Sequence, residues 1–170
     1  MSAAADVDIL VVGAGHGGLT GASHLRRAGR EVLIVDPSAR IGDVWRNRYD
    51  SLHLFTPRFL NGLPMNPFPP GDDPFTTKDE VANYHEEYAR AMSFPLRLGH
   101  RVSTLRRLGT LFEATAGPLL VKARAVVVAT GAFGVGRIPP FAARLDGSVH
   151  QIHSSAAFDA RRAPLPRRAT

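Results

Sequence analysis

The 170-residue chain contains no cysteine. That absence excludes disulfide staples, thiolate metal ligands and a thiol nucleophile, and it favours a cytoplasmic over an oxidising location. Long hydrophobic runs are also missing. The run after Asp8 ends within a few residues, far short of the ~20 apolar residues that a membrane helix needs. Asp6 and Asp8 stand where a secretory signal would carry positive charge, so no targeting segment and no membrane association are expected. The seven histidines, His16, His24, His53, His85, His100, His150 and His153, form no H-x-x-x-H spacing and join no carboxylate cluster, so no metal site is expected. His16 stands apart because it sits in a glycine loop; the others are assigned to surface or loop positions. Neither a serine nucleophile elbow nor a glycosidase-like carboxylate pair stands out.

The formal net charge of +6 is concentrated at one end. The last ten residues, RRAPLPRRAT, hold four arginines and no acid, which leaves +2 for residues 1–160. A basic tail of this kind reads as a solvated end, and no nucleic-acid motif accompanies it, so no nucleic-acid partner is expected. The chain is long enough for one domain with a real core. Residues 1–157 are read as that domain and 158–170 as a disordered basic tail.

Against these absences, glycine is abundant in one place. DILVVGAGHGGLTGASHLRRAG, from Asp8 to Gly29, carries Gly13, Gly15, Gly17, Gly18 and Gly21 directly after a short apolar run. Glycine loses the most backbone freedom on folding, so such a cluster marks close approach of something to the backbone. Asp8 to Val12 reads as a buried parallel strand and His16 to Ala28 as a helix closed by Gly29. Glu31 to Val35 reads as a second buried strand ending on Asp36. Gly13, Gly15 and Gly18 fit G-x-G-x-x-G at the turn between strand and helix. In that pattern the first glycine permits the turn, the second admits a pyrophosphate, and the third lets helix and strand pack closely. The helix N-terminus adds free N–H groups and partial positive charge beside His16 and Gly17. Asp36 can accept hydrogen bonds from ribose hydroxyls, and its charge opposes a 2′-phosphate. The bland alternative for Asp36 is a strand-end turn closed by Pro37 and Ser38.

Further along, PRFLNGLPMNPFPPGDDP (57–74) holds six prolines and predicts irregular structure. Phe59, Leu60, Leu63, Met65 and Phe68 favour an ordered segment held against a ligand over a flexible linker. TKDE (77–80) has capping-box spacing, and Val81, Tyr84, Tyr88 and Met92 then recur at helical spacing, which predicts about four turns of helix. Residues 95–131 break into a strand, a small antiparallel meander and a last buried strand, Ala125 to Ala129. The expected fold is a three-layer α/β Rossmann-like dinucleotide-binding domain with a mostly parallel sheet and that meander.

The stretch ARIGDVWRNRYDSLHLFTPRFLNGLPMNPFP resembles the segment after the first strand–helix–strand unit in flavin-dependent monooxygenases of the flavin-containing, YUCCA-like and Baeyer–Villiger group. The matching residues are Gly42, Trp45, Tyr49, Asp50, Leu52 and Leu54, with Asp43 where a second glycine is common. VVVATG, ending on Thr130 and Gly131, resembles the turn that closes the FAD domain of that group. The resemblance implies FAD as cofactor, its pyrophosphate cradled by Gly13, Gly15 and Gly18 and its ribose held by Asp36. It places Trp45 and Arg46 near the flavin and the backbone of Val102 near the adenine, and His16, Gly17, Pro37, Thr130 and Gly131 complete the candidate contacts. No catalytic residue is assigned.

The same group carries a second dinucleotide motif for NADPH, preceded by Phe-x-Gly-x-x-x-His. Here LDGSVHQIHSSAAF keeps Gly147 and His153 but has Leu145 for the phenylalanine and a longer spacing, and no second glycine motif follows. The resemblance therefore implies the FAD-binding half of an NADPH-dependent oxidoreductase, ending before the NADPH domain and weakly active or inactive alone, with an unknown small-molecule substrate. A partner chain supplying the other half is the corresponding partner expectation. Two alternatives stay open. One is a noncatalytic flavin- or partner-binding fragment, which exposed apolar residues around Phe133, Ile138 and Phe141 would support. The other is an NAD-dependent dehydrogenase, which lacks a Tyr-x-x-x-Lys pair and leaves residues 45–57 unexplained.

Overall fold

The computed structural model describes residues 6–132, 136–149 and 151. The expected strand–helix–strand unit is formed by β1 (Val7–Val12), α1 (His16–Arg27) and β2 (Val32–Val35), with β1 and β2 parallel. Gly29 ends α1 as the sequence predicts. Its φ of +73° is a conformation that glycine adopts without steric cost. Its N–H bonds the Arg26 carbonyl at 2.9 Å, and the next N–H, of Arg30, bonds the Leu25 carbonyl at 3.0 Å, so two helix-end acceptors are satisfied.

A one-turn helix, α2 (Asp43–Arg46), follows, then an antiparallel ribbon of β3 (His53–Pro57) and β4 (Phe75–Thr77). α3 (Lys78–Ala91) opens on the predicted capping box. The Thr77 hydroxyl accepts from the Glu80 N–H, and the Glu80 carboxylate accepts from the Thr77 N–H. The chain then runs through β5 (Leu96–Arg97), β6 (Thr104–Leu108), β7 (Leu111–Ala116) and β8 (Leu119–Val128).

The main sheet has the order β5-β2-β1-β8-β7-β6. Its first four strands are parallel, and β8, β7 and β6 are antiparallel. The sequence divides the end of this region into a meander and a separate last strand at Ala125–Ala129. Instead one ten-residue strand, β8, serves both: its first half pairs with β7 and its second half with β1. That second half is also less covered than expected, with Val128 65% exposed.

Because successive strand residues point to opposite faces, the sheet separates two cores. Val11 and Ile34 join Leu19 and Ala22 of α1 and Val81, Tyr84 and Tyr88 of α3. Leu10, Val12 and Val35 face Ala114, Ala116, Val121 and Ala123 of the meander. Helices, sheet and meander are the three layers of the Rossmann-like fold.

The proline-rich segment is ordered against α3. The Tyr84 hydroxyl accepts from the Leu63 N–H at 2.6 Å and donates to the Asn66 carbonyl at 2.5 Å, and Tyr88 donates to the Pro64 carbonyl at 3.0 Å. Buried Arg58 donates to the Asp73 carbonyl and pairs with Glu80 at 2.8 Å. Leu63 and Phe68 are buried, while Phe59, Leu60 and Met65 remain exposed. The segment is irregular as predicted, apart from one 3₁₀ turn at Arg58–Leu60.

Gly42 and Gly21 separate two uses of glycine. Gly42 has φ +88°, and a Cβ there would lie 2.5 Å from the Ala82 carbonyl oxygen of α3. Gly21 lies inside α1, and a Cβ would meet nothing within 4 Å. Gly42→Ala is expected to lose about 3 kcal/mol, whereas Gly21→Ala should gain about 0.5–1 kcal/mol. Thermal melts of the two variants, moving in opposite directions from wild type, are the check.

Candidate functional site

The glycine loop divides its labour as the motif requires. Gly13 has φ +110°, and a Cβ on it would come within 2.3 Å of the Ala129 carbonyl oxygen. A Cβ on Gly18 would lie 1.9 Å from the Gly13 carbonyl oxygen. Both positions are closed by the protein's own backbone. Gly15 and Gly17 differ: added Cβ atoms there meet nothing within 4 Å. The loop thus has a sealed floor and an open mouth.

The mouth is electropositive for local reasons. α1 has Gly15 as its N-cap, no side-chain cap and no acidic residue in its first turn. The first intrahelical bond from this end runs from the Leu19 N–H to the Gly15 carbonyl at 2.9 Å, so the preceding N–H groups of His16, Gly17 and Gly18 lie at the helix end, where intrahelical acceptors run out. An anionic diphosphate fits this arrangement.

Asp36 lies beside the loop and links it to the end of β2. Its carboxylate accepts from the Ala14 N–H at 2.7 Å and from the Ser38 N–H at 2.8 Å. The turn role considered for Asp36, Pro37 and Ser38 is therefore present. An ionised carboxylate has about four acceptor sites, so capacity for ribose hydroxyls remains. The stretch after β5 is tied to the same corner: Gly99 bonds the Ser38 carbonyl at 2.8 Å and His100 the Asp36 carbonyl at 3.0 Å. Val102, two residues on, packs on the meander-side core. Thr130 and Gly131 are exposed at the end of β8, where the Ala129–Thr130 peptide abuts Gly13.

On the other side of the loop lies a cavity of about 250 Å³ lined by His16, Trp45, Leu54, Thr56, Leu60, Asn61, Val81 and His85. It draws on α1, α2, the β3 ribbon and α3, and on no residue of β2. A dinucleotide with its ribose at Asp36 and its diphosphate at the loop therefore has this cavity for its second half. The depression of about 340 Å³ lined by His53, Leu54, Phe55, Asp73 and Phe75 takes no residue from the loop.

The comparisons with known proteins agree with this geometry. The family model described as pyridine nucleotide-disulphide oxidoreductase matches residues 10–163. The chain belongs to that family. An "Uncharacterized oxidoreductase CzcO-like" from Geobacillus kaustophilus is 43% identical over 149 residues, covering 88% of this chain and 43% of that protein. The solved flavin-containing monooxygenase from Stenotrophomonas maltophilia superposes with a TM-score of 0.75 at 33% identity, covering 78% of this chain and 41% of that one. OTEMO, solved in complex with FAD and NADP, gives 0.70 at 26% identity, covering 81% of this chain and 28% of its own. The resemblance to flavin-dependent monooxygenases stands, and the chain spans less than half the length of each of these relatives.

Within this family member, the candidate contacts do not all converge. Trp45 is half-buried, lines the cavity and stands edge-on to His85 with ring centroids 6.4 Å apart. Arg46, expected near the flavin, braces α2 to α3. It donates to the Ile41 carbonyl at 2.5 Å and to Asn83 at 3.1 Å, and pairs with Glu86 at 3.0 Å and Asp43 at 3.5 Å. Its head is not among the cavity-lining groups. Thr56, Asn61 and His85 line the cavity without having been singled out by sequence. His85 is also a correction, since the sequence reading gives it a surface or loop position and it is only 1% exposed. Its helical spacing carried the signal: with Val81, Tyr84 and Tyr88 it occupies positions i, i+3, i+4 and i+7 of one face. His150 and His153 lie outside the described residues, and among those described no cluster of three or more metal-ligating side chains occurs.

Burial, and secondarily the neighbouring His16, pushes the His85 imidazole down to about 4. Below pH 6.5 the unfolded chain binds a proton there that the folded chain does not accept until pH falls to about 4. The stability contributed by keeping this ring neutral is therefore whole above pH 6.5 and lost progressively from there toward pH 4. His85→Leu removes that dependence. Between pH 7 and pH 5, urea unfolding of wild type should lose about 2 kcal/mol more than the variant does; equal losses would show that the folded ring titrates normally.

Proposed function

We propose that this chain is the FAD-binding half of an NAD(P)H-dependent flavoprotein oxidoreductase of the monooxygenase type. The observation that carries the reading is the loop whose closed glycines, Gly13 and Gly18, leave an open, N–H-lined mouth at Gly15 and Gly17. The helix-end N–H groups hold the FAD diphosphate, and the partial positive charge of α1 offsets its negative charge. Asp36 takes the ribose hydroxyls while keeping the loop in register through Ala14. Trp45, Leu54 and Val81 wall the flavin end and exclude water from it. FAD, when bound, supplies the electron-transfer chemistry of the reaction.

No second G-x-G-x-x-G occurs in the sequence, so the NADPH site is assigned to a further polypeptide segment. That segment, in the same protein or in a partner chain, would also roof the flavin. Exposed Val128, Ile138 at 68% and Phe141 at 56% support such a cover; Phe133 lies outside the described residues. The substrate is a small molecule, and no nucleic-acid partner is proposed. Among the described residues no helix is long and apolar enough to cross a membrane. A cytoplasmic location is proposed on the lack of cysteine.

Purified chain should be yellow or take up added FAD, and FAD at about 100 times its Kd should stabilise it by about 2.7 kcal/mol. Gly15→Val should cost only a modest loss of apo stability, from the poorer N-cap, because an added Cβ meets nothing within 4 Å in an extended conformation, yet weaken FAD binding at least about tenfold. Colourless protein whose melting temperature ignores FAD would overturn the assignment. Anaerobic mixing with NADPH should give no rapid, saturable flavin reduction by this 170-residue chain alone.

A further inference from the structure

One polar side chain at the cavity has no partner. His85 is buried on α3, and neither ring nitrogen has a hydrogen-bond partner. The other buried polar groups along the wall are satisfied. Thr56 and Asn61 bond each other at 2.5 Å, and Asn61 also donates to Thr76 at 3.0 Å. Tyr84, adjacent to His85, has its hydroxyl engaged by Leu63 and Asn66. Leaving a buried imidazole unpaired is unfavourable relative to a partnered one. An apolar side chain would fill the same space without that penalty. Among the described residues, the titratable ring against it from another element is His16 of the phosphate loop, with centroids 5.5 Å apart and planes tilted by 54°; Trp45 and Tyr84 are the other described ring neighbours. His16 is itself exposed, at the junction of loop and cavity.

We infer that His85 is a hydrogen-bonding contact for the flavin end of the bound dinucleotide, and that the His16 side chain covers it until the nucleotide arrives. A neutral imidazole offers one donor and one acceptor. The polar edge of a flavin ring offers both complements, whereas a diphosphate offers acceptors only. The position agrees: His85 lies on the cavity side of the loop, away from the Asp36 corner. Trp45 stands edge-on to it, and the two ring nitrogens are the unpaired buried polar atoms of a wall on which Thr56 and Asn61 bond each other.

The inference rests on the FAD reading of the loop, and its test separates the two. FAD and ADP affinities are measured by titration calorimetry for wild type, His85→Leu and His85→Gln, with apo melting temperatures alongside. The expected result is that His85→Leu melts higher than wild type without nucleotide, binds ADP unchanged and binds FAD about tenfold more weakly. His85→Gln, which keeps a donor and an acceptor, should recover FAD affinity to within about threefold. Unchanged FAD affinity in His85→Leu, or an equal loss for ADP and FAD, would overturn the inference while leaving the FAD reading intact. Wild type that binds neither nucleotide would overturn the FAD reading itself. A variant-free check guards against misfolding of either substitution: in protein labelled with ¹⁵N-histidine, FAD should shift two imidazole signals that ADP leaves in place. Identical histidine spectra with FAD and ADP would also sink the assignment.

Discussion

The molecule turns on a contact between two peptide units with no side chain between them. Gly18 at the start of α1 lies so close to the Gly13 carbonyl that a Cβ would sit 1.9 Å from the oxygen, and a Cβ on Gly13 would sit 2.3 Å from the Ala129 carbonyl oxygen just past β8. These approaches bring the ends of β1 and β8 and the N-terminus of α1 to one point. Strand ends converge on a helix end, so the N–H groups of the helix face outward over the sheet rather than into it. The open mouth at Gly15 and Gly17 is a consequence of closure everywhere around it.

α3 builds the other half of the site. Its buried face holds Tyr84 and Tyr88, whose hydroxyls bind carbonyl and N–H groups of residues 63–66 and so immobilise a segment too rich in proline to order itself. Arg58, tied to Asp73 and Glu80, fixes the start of that segment. The result sets Leu60 and Asn61 opposite Val81 and His85 across the cavity. Polar groups in this region are paired wherever they serve the fold, and His85 is the exception that faces the cavity.

Much of this was legible in the sequence because it depends on neighbours along the chain. The G-x-G-x-x-G loop, the apolar runs on either side, the stop at Gly29 and the capping box at Thr77 and Glu80 are each specified within a few residues. Their physics is local: allowed φ, helix-end hydrogen bonds and side-chain periodicity. Less legible was β8, where one strand changes partner from β7 to β1 midway, since no local feature marks the exchange. Arg46 was legible as a charged neighbour of Trp45, but not as a brace, because Asn83 and Glu86 come from a helix far along the chain.

Sequence alone determined that a phosphate-binding turn lies between a buried strand and a helix, because glycine placement and hydrophobic runs act through backbone sterics that any fold must obey. Only the tertiary structure decided what faces that turn. His85 and His16 meet because α1 and α3 pack on the same face of the sheet, and the loss of solvent around His85 comes from α2, the β3 ribbon and the proline-rich segment together. The helical spacing of Val81, Tyr84, His85 and Tyr88 marks the buried face of α3, but which groups strip solvent from His85 is a property of the assembled neighbourhood.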